Sequence, residues 1–174
     1  LWKTDGTVAG TVLVKDLVSG VDSSIPSALV QLAGKVAFRA NDGTTTRLWI
    51  SDGTSAGTLL LGGNQVGNEI VSNGAKAYFA AFRAGAGIEL WTSDGTPGGT
   101  REVVDISSGG DSNPSRFVFA GSRVWFAADD GAHGREPWSS DGTAAGTVLA
   151  QDIRPGLTSS MPNDIPGSAR PFAA

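Results

Sequence analysis

Residues 48–58 read LWISDGTSAGT: an aromatic anchor, an Asp-Gly turn and a second Gly-Thr within eleven positions. The stretch has three near-copies, LWKTDGTVAGT at 1–11, LWTSDGTPGGT at 90–100 and PWSSDGTAAGT at 137–147. The tryptophans Trp2, Trp49, Trp91 and Trp138 are spaced by 47, 42 and 47 residues. A period in the forties is the signature of a repeat architecture, and it takes precedence over any local reading.

The agreement extends beyond the motif. Fourteen residues after the tryptophan stand Asp16, Asp105 and Asp152, and a Gly/Ser stretch then leads to Pro26, Pro114 and Pro162. The second copy departs, with Gly63 in place of the Asp and no matching proline. It also has the short spacing, so its connection is a loop trimmed by about five residues.

Each full unit holds four strand-like runs. In the first full unit these are SALVQLAG (27–34), KVAFRA (35–40), TRLWIS (46–51) and TLLLG (58–62), bounded by Gly, Asp or Asn. Such runs and turn residues read as successive hairpins. Equivalent quartets follow at 68–106 and 115–153. The expected fold is therefore all-β: a propeller-like array of four-stranded antiparallel blades, with about three full repeats and partial repeats at both ends. The chain reads as a single repeat domain, 1–174, with units at about 1–20 (partial), 21–64, 65–107, 108–154 and 155–174 (partial). Because it opens inside a motif, it also reads as a piece of something longer or a processed product.

A blade cannot bury both faces alone, so a large ring on the third strand is expected to pack on the adjacent blade. Trp2, Trp49, Trp91 and Trp138 are thus expected to be mostly buried, and Phe38, Phe79 and Phe126 to share the inter-blade core. Gly6, Gly53, Gly95 and Gly142 are the turn glycines of the four copies. Their partners Asp5, Asp52, Asp94 and Asp141 are expected to staple the turn by accepting backbone N–H groups. The rival reading is that these four carboxylates, with Asp16, Asp105 and Asp152, collect calcium, a hard cation that takes several oxygens. No D-x-D-x-D-G loop with a following Glu supports a ready-made site, and GGDS (109–112) is a single partial echo of the nonapeptide calcium repeat.

Composition narrows the function classes. The 25 glycines, about twice average usage, punctuate apolar runs as turns do. Net charge is −4 with 13 scattered Lys and Arg, so no basic stripe is present to meet nucleic acid. No apolar run is long enough for a membrane-spanning helix, and the absence of cysteine excludes disulfides, thiolate catalysis and cysteine zinc sites.

The motifs IELWTSDGTPGGT (88–100) and FAADDGAHGREPWSSDGTAAGT (126–147) resemble the bacterial ELWxxDGT repeat proteins, and all four copies fit. Glu89 and Glu136 match the glutamate before that motif, whereas Pro137 replaces its leucine. Since Pro has no N–H, that strand must lose a ladder bond or place the residue where none is needed. At the C-terminal end, SSMPNDIPGSARPFAA departs further with Pro166 and Pro171. The resemblance implies a secreted or cell-surface bacterial protein with no established enzymatic activity.

Catalysis needs unlike residues converging once, whereas most carboxylates and hydroxyls here recur. No catalytic residue and no resident cofactor is therefore expected. The unrepeated polar residues His133, Glu69 and Glu102 and the unrepeated arginines are the only candidates for an enzyme site, and the sequence does not bring them together. His133 lies near Asp129, Asp130 and Glu136 in an exposed turn. The leading expectation is a non-catalytic extracellular scaffold for adhesion, assembly or protein–protein contact, whose partners are itself, further repeats of a longer parent chain, or another protein. The alternative is a lectin-like propeller binding a glycan. It would need recurrent exposed loop aromatics, but the recurrent rings lie in strands, and Trp125 is matched by Phe79 near its place.

Overall fold

The computed structural model describes residues 1–160, all β-strand, turn and loop. A two-stranded sheet comes first, β1 (Trp2–Lys3) with β2 (Val12–Leu13). Three four-stranded antiparallel sheets follow, each in plain sequential order. The first contains β3 (Ser27–Leu32), β4 (Lys35–Asn41), β5 (Thr46–Ser51) and β6 (Leu59–Leu60). The second contains β7 (Val66–Ser72), β8 (Ala77–Arg83), β9 (Gly87–Ser93) and β10 (Arg101–Val104), and the third β11 (Ser115–Ala120), β12 (Arg123–Asp129), β13 (Arg135–Ser140) and β14 (Val148–Leu149). These are three blades of a propeller-like array, which does not close among the described residues. The partial unit expected after residue 154, with its prolines 162, 166 and 171, falls largely outside the described residues.

The outermost strands β6 and β14 are two residues long, shorter than the sequence runs. Their neighbours are still tied in, since Leu61 N–H donates to Leu48 O and Ala150 N–H to Pro137 O, both at 2.9 Å. Because Pro137 turns its carbonyl toward β14, its nitrogen points the same way, just beyond the β13–β14 ladder. The pairing with β12 loses nothing. The trimmed connection is visible directly, with five residues between β6 and β7 against ten between β10 and β11.

Register explains the core. Phe38, Phe79 and Phe126 stand opposite Trp49, Trp91 and Trp138 in the three blades, and all three phenylalanines are fully buried. One apolar cluster joins Leu32, Leu48, Ile50 and Leu61 of the first blade to Ile70, Phe79 and Trp91 of the second. Another joins Tyr78, Leu90 and Val103 to Phe117, Val124 and Phe126. The Phe/Trp face of each blade therefore lies on the opposite face of the blade before it.

The expectation that all four tryptophans are buried needs correction. Trp91 is 8 % exposed, Trp49 and Trp138 are half-buried, and Trp2 is 65 % exposed. Trp2 sits in the two-stranded sheet, where among the described residues β1 pairs only with β2 and no phenylalanine strand stands opposite the ring. A second correction concerns Trp125: the ladders place it at the position of Tyr78 and Ala37, not of Phe79. It lies on the face opposite the Phe/Trp pair.

Candidate functional site

The four DGT loops come first, because they carry the repeated polar residues. In the second copy Asp52 Oδ1 accepts from Thr54 N–H (2.9 Å) and Thr54 Oγ1–H (2.7 Å), and Gly57 N–H donates to that same Thr54 oxygen at 2.9 Å. A second chain of bonds closes the loop base. Thr58 Oγ1–H donates to Thr54 O (2.7 Å), so Ser51 must supply the proton in its 2.7 Å contact with Thr58 Oγ1, while Gly53 N–H donates to Ser51 Oγ at 3.1 Å. The pattern recurs at Asp94 and Thr96, at Asp141 and Thr143, and at Asp5 and Thr7 with Thr4 in the serine's role. The threonine hydroxyl and amide hold all four carboxyls below the usual carboxylate range.

Both glycines of the motif are required by geometry. Gly142, at φ +90, is the point where the loop meets the preceding blade, and a Cβ there would stand 2.4 Å from Tyr78 Oη. The second glycine faces its own aspartate: a Cβ on Gly99 would lie 2.1 Å from Asp94 Oδ1, and Gly10, Gly57 and Gly146 are equally tight. That second constraint was not read from the sequence. The loops also bridge units, with Lys3 Nζ on Gly53 O and Lys15 Nζ on Thr58 O, both at 2.8 Å.

The glutamate before the motif does something different. Glu89 is fully buried and accepts from Ile106 N–H (2.8 Å), Ser112 N–H (3.0 Å) and Ser112 Oγ–H (2.6 Å). Glu136, also fully buried, accepts from Ile153 N–H (3.2 Å), Ser160 N–H (2.9 Å) and Ser160 Oγ–H. Each thus pins the connection that leads out of its blade. Burial pushes Glu89 above the usual carboxylate value in spite of its three donors. For Glu136 burial also works upward, but the Ser160 and Ile153 donors outweigh it and the value falls. In the first full blade, whose outgoing connection is the trimmed one, Arg47 on β5 stands at this position and pairs instead with Asp42 at 2.8 Å. The hydroxyl and amides of Thr44 and Thr45, with Arg47, hold Asp42 down to about 2.

The remaining calcium candidates are separated from these loops. Asp16 is exposed beside Trp2, and Asp105 and Asp152 each have one buried oxygen, Oδ1, without a protein partner. Among the described residues no three His, Asp or Glu side chains converge as a metal site would require.

Of the unrepeated polar residues, the fold gathers one set and leaves the others apart. Glu69 and Arg135 line an open groove of about 350 Å³ between the second and third blades, with Asn68, Asn113, Ser115 and Phe117. Both charged groups are engaged. Glu69 accepts from Arg116 N–H (2.7 Å) and Phe117 N–H (3.1 Å), where β11 bulges and Arg116 has φ +59. Arg135 is buried and donates to Asn113 O (2.8 Å), Ser115 Oγ (2.5 Å) and Ala127 O (3.1 Å). From the first blade Arg39 donates to Asn68 Oδ1 at 2.6 Å. His133 lies elsewhere, with its Nδ1 2.7 Å from Asp130 Oδ2, a contact that raises its pKa. Glu102 pairs with Arg83 on another surface.

No protein-family model matches this chain, and no curated protein matches it either.

Proposed function

We propose that this chain is a non-catalytic repeat scaffold, of the ELWxxDGT kind that its motifs resemble, working outside a bacterial cell and holding other protein surfaces on its blade faces and edges. The observation that carries this reading is the internal use of the repeated polar groups. Each DGT aspartate and threonine closes its own loop, and Glu89 and Glu136 pin connections. The DGT aspartates use Oδ1 to close their own loops, and Glu89 and Glu136 each accept three bonds from the connection they hold, so the repeated polar groups hold backbone in place instead of converging on one site.

The groove between the second and third blades favours a second reading, glycan binding, because Asn68, Asn113 and Ser115 border it beside the Phe117 ring. Calorimetry against a panel of mono- and oligosaccharides separates the two. The scaffold reading predicts no heat of binding with any sugar up to about 1 mM and no turnover of glycoside or ester substrates. A sugar that binds the chain and is lost on Asn68→Ala would replace it with the lectin reading.

A further inference from the structure

The chain holds six Asp-Gly pairs, beginning at Asp5, Asp42, Asp52, Asp94, Asp130 and Asp141, and one Asn-Gly pair, Asn73 with Gly74. A side chain bearing oxygen precedes every one of them: Ser51, Ser72, Ser93 and Ser140 in four, Thr4, Asn41 and Asp129 in the others. In all seven turns the glycine has a φ between +79 and +96, and in all seven its N–H donates to that preceding side chain. Gly74 N–H reaches Ser72 Oγ at 2.9 Å, and Gly53 and Gly95 reach their serines at 3.1 Å. Gly142 reaches Ser140 at 2.9 Å and Gly6 reaches Thr4 at 3.0 Å. The bond persists where the acceptor is no hydroxyl, at Asn41 Oδ1 (2.6 Å) and Asp129 Oδ1 (2.8 Å).

Such pairs are the chemically weakest points of a backbone, because glycine has no Cβ to keep its nitrogen from the preceding side-chain carbonyl carbon. At Asn73 the Gly74 nitrogen gives its proton to solvent base and bonds to Cγ, the Cγ–Nδ2 bond breaks, and the amide nitrogen takes up a proton and leaves as ammonia. Water then opens the succinimide, at Cγ to aspartate or at the backbone carbonyl to a β-linked isoaspartate. No electron is transferred. The nitrogen is a poor nucleophile while its proton is committed to Ser72 Oγ. The other contacts of this pair favour attack, since Ala75 N–H (3.0 Å) and Lys76 N–H (2.8 Å) both donate to Asn73 Oδ1 and polarise Cγ as an oxyanion hole would. The Asp-Gly pairs have a second protection. Hydrogen bonds from the following threonines hold five of the carboxyls below the usual range, and at Asp130 burial works upward but the His133 contacts outweigh it. The protonated form that can lose water is therefore scarce at neutral pH.

We propose that the residue before each of these pairs is a chemical guard, whose oxygen holds the glycine N–H and keeps the pair from closing to a succinimide, and that Ser72 is what keeps Asn73 from becoming a deamidation site. The position matters to the fold. Gly74 O accepts from Ala33 N–H at 2.8 Å, and Leu32 pairs with Gly74 in a parallel bridge, so this turn ties the second blade to the first. An isoaspartate at 73 lengthens the backbone by one methylene immediately before that tie. The inference concerns the chain alone and stands apart from the scaffold reading.

The test is incubation of the whole chain in warm, mildly alkaline buffer, with deamidation at Asn73 and isoaspartate at each Asp-Gly pair followed by peptide mass spectrometry. The proteins are the wild type, Ser72→Ala, Ser72→Thr and Thr4→Ala, the last in an exposed turn, each incubated folded and also unfolded in urea. Folded wild type should deamidate at Asn73 far more slowly than the unfolded chain. Ser72→Ala should speed the folded reaction by about fivefold to tenfold, the factor one hydrogen bond is worth. Ser72→Thr should restore the slow rate, as Thr4 holds Gly6, and in urea all rates at Asn73 should agree. Thr4→Ala should raise isoaspartate at Asp5 and leave Asn73 as it was, which separates a lost guard from a general loosening of the fold. A folded wild type that deamidates at the unfolded rate, a Ser72→Ala rate equal to or below the wild type's, a threonine that does not rescue, or a rise spread over every pair would overturn the proposal.

Discussion

Glu89→Ala is expected to lower the unfolding free energy by about 3 kcal/mol, because it takes away the one acceptor that serves the Ile106 and Ser112 N–H groups. Ile106 N–H, Ser112 N–H and the Ser112 hydroxyl all end on the one carboxylate. Urea unfolding would show the loss, and amide exchange would place it at Ile106 and Ser112. The charge-neutral Glu89→Gln should lose less at pH 7, and its dependence on pH is diagnostic. Since the Glu89 pKa is raised by burial, its contribution is fully present below the unfolded value and is lost as pH rises through the folded one. The gap between wild type and Glu89→Gln should therefore widen toward acid. The site can accommodate the protonated form: Ser112 Oγ can turn its proton to Ile88 O at 3.3 Å and accept from the glutamic acid. Glu136 has the opposite sign, its pKa being lowered. Its contribution is present above the unfolded value and is lost as pH falls through the folded one, so the Glu136→Gln gap should close toward acid.

The second large effect is in the core. Phe79→Ala should cost about 3–5 kcal/mol, a large share of the 5–15 kcal/mol that typically holds a domain. Phe79 is 1 % exposed and stands opposite Trp91, in the cluster that joins the first and second blades. A cavity there loosens two sheets at once, because each blade covers its neighbour. Trp2→Ala, although it removes a larger ring, should change the stability of the dilute chain by no more than about 0.5 kcal/mol. Guanidinium unfolding of both variants, followed by far-UV circular dichroism, gives the comparison. Equal losses would contradict the account of Trp2 as an exposed ring outside the inter-blade core.

These contrasts also show what could be read from the chain and what could not. Strand order, the blade period and the buried Phe38, Phe79 and Phe126 followed from alternation and spacing, which are local properties of each run. The exposure of Trp2 did not, because burial of a third-strand ring depends on a neighbouring strand and blade that the motif itself does not encode. The Asp-Gly turn was legible from residue preference. The need for Gly99 was not, since it arises where the chain folds back onto the Asp94 carboxylate.

The pinning role of Glu89 and Glu136 was not legible for a related reason, as their partners lie 17 to 24 residues downstream, in the next connection. A signal was present: Ser112 and Ser160 each precede a proline by two positions, and the unit with the trimmed connection lacks the glutamate and carries Arg47. Read as pairs, glutamate and connection come and go together. The groove residues Glu69 and Arg135 gave no such signal, because only the bulged inner strands bring them to one place.

The central claim is that the repeated Asp-Gly-Thr…Gly-Thr sentence is a self-contained hairpin clasp. A double-mutant cycle on Asp94 and Gly99, measured by urea unfolding with and without added calcium, tests it most directly. Gly99→Ala should be the costlier single change, because its methyl group meets the Asp94 carboxylate at 2.1 Å. Asp94→Ala should cost less, and the double variant should recover most of the Gly99→Ala loss, giving a strong favourable coupling. Calcium should leave every midpoint unchanged. Additive losses, or a calcium-dependent stabilisation that vanishes with Asp94, would contradict the clasp and return these aspartates to the role of metal ligands.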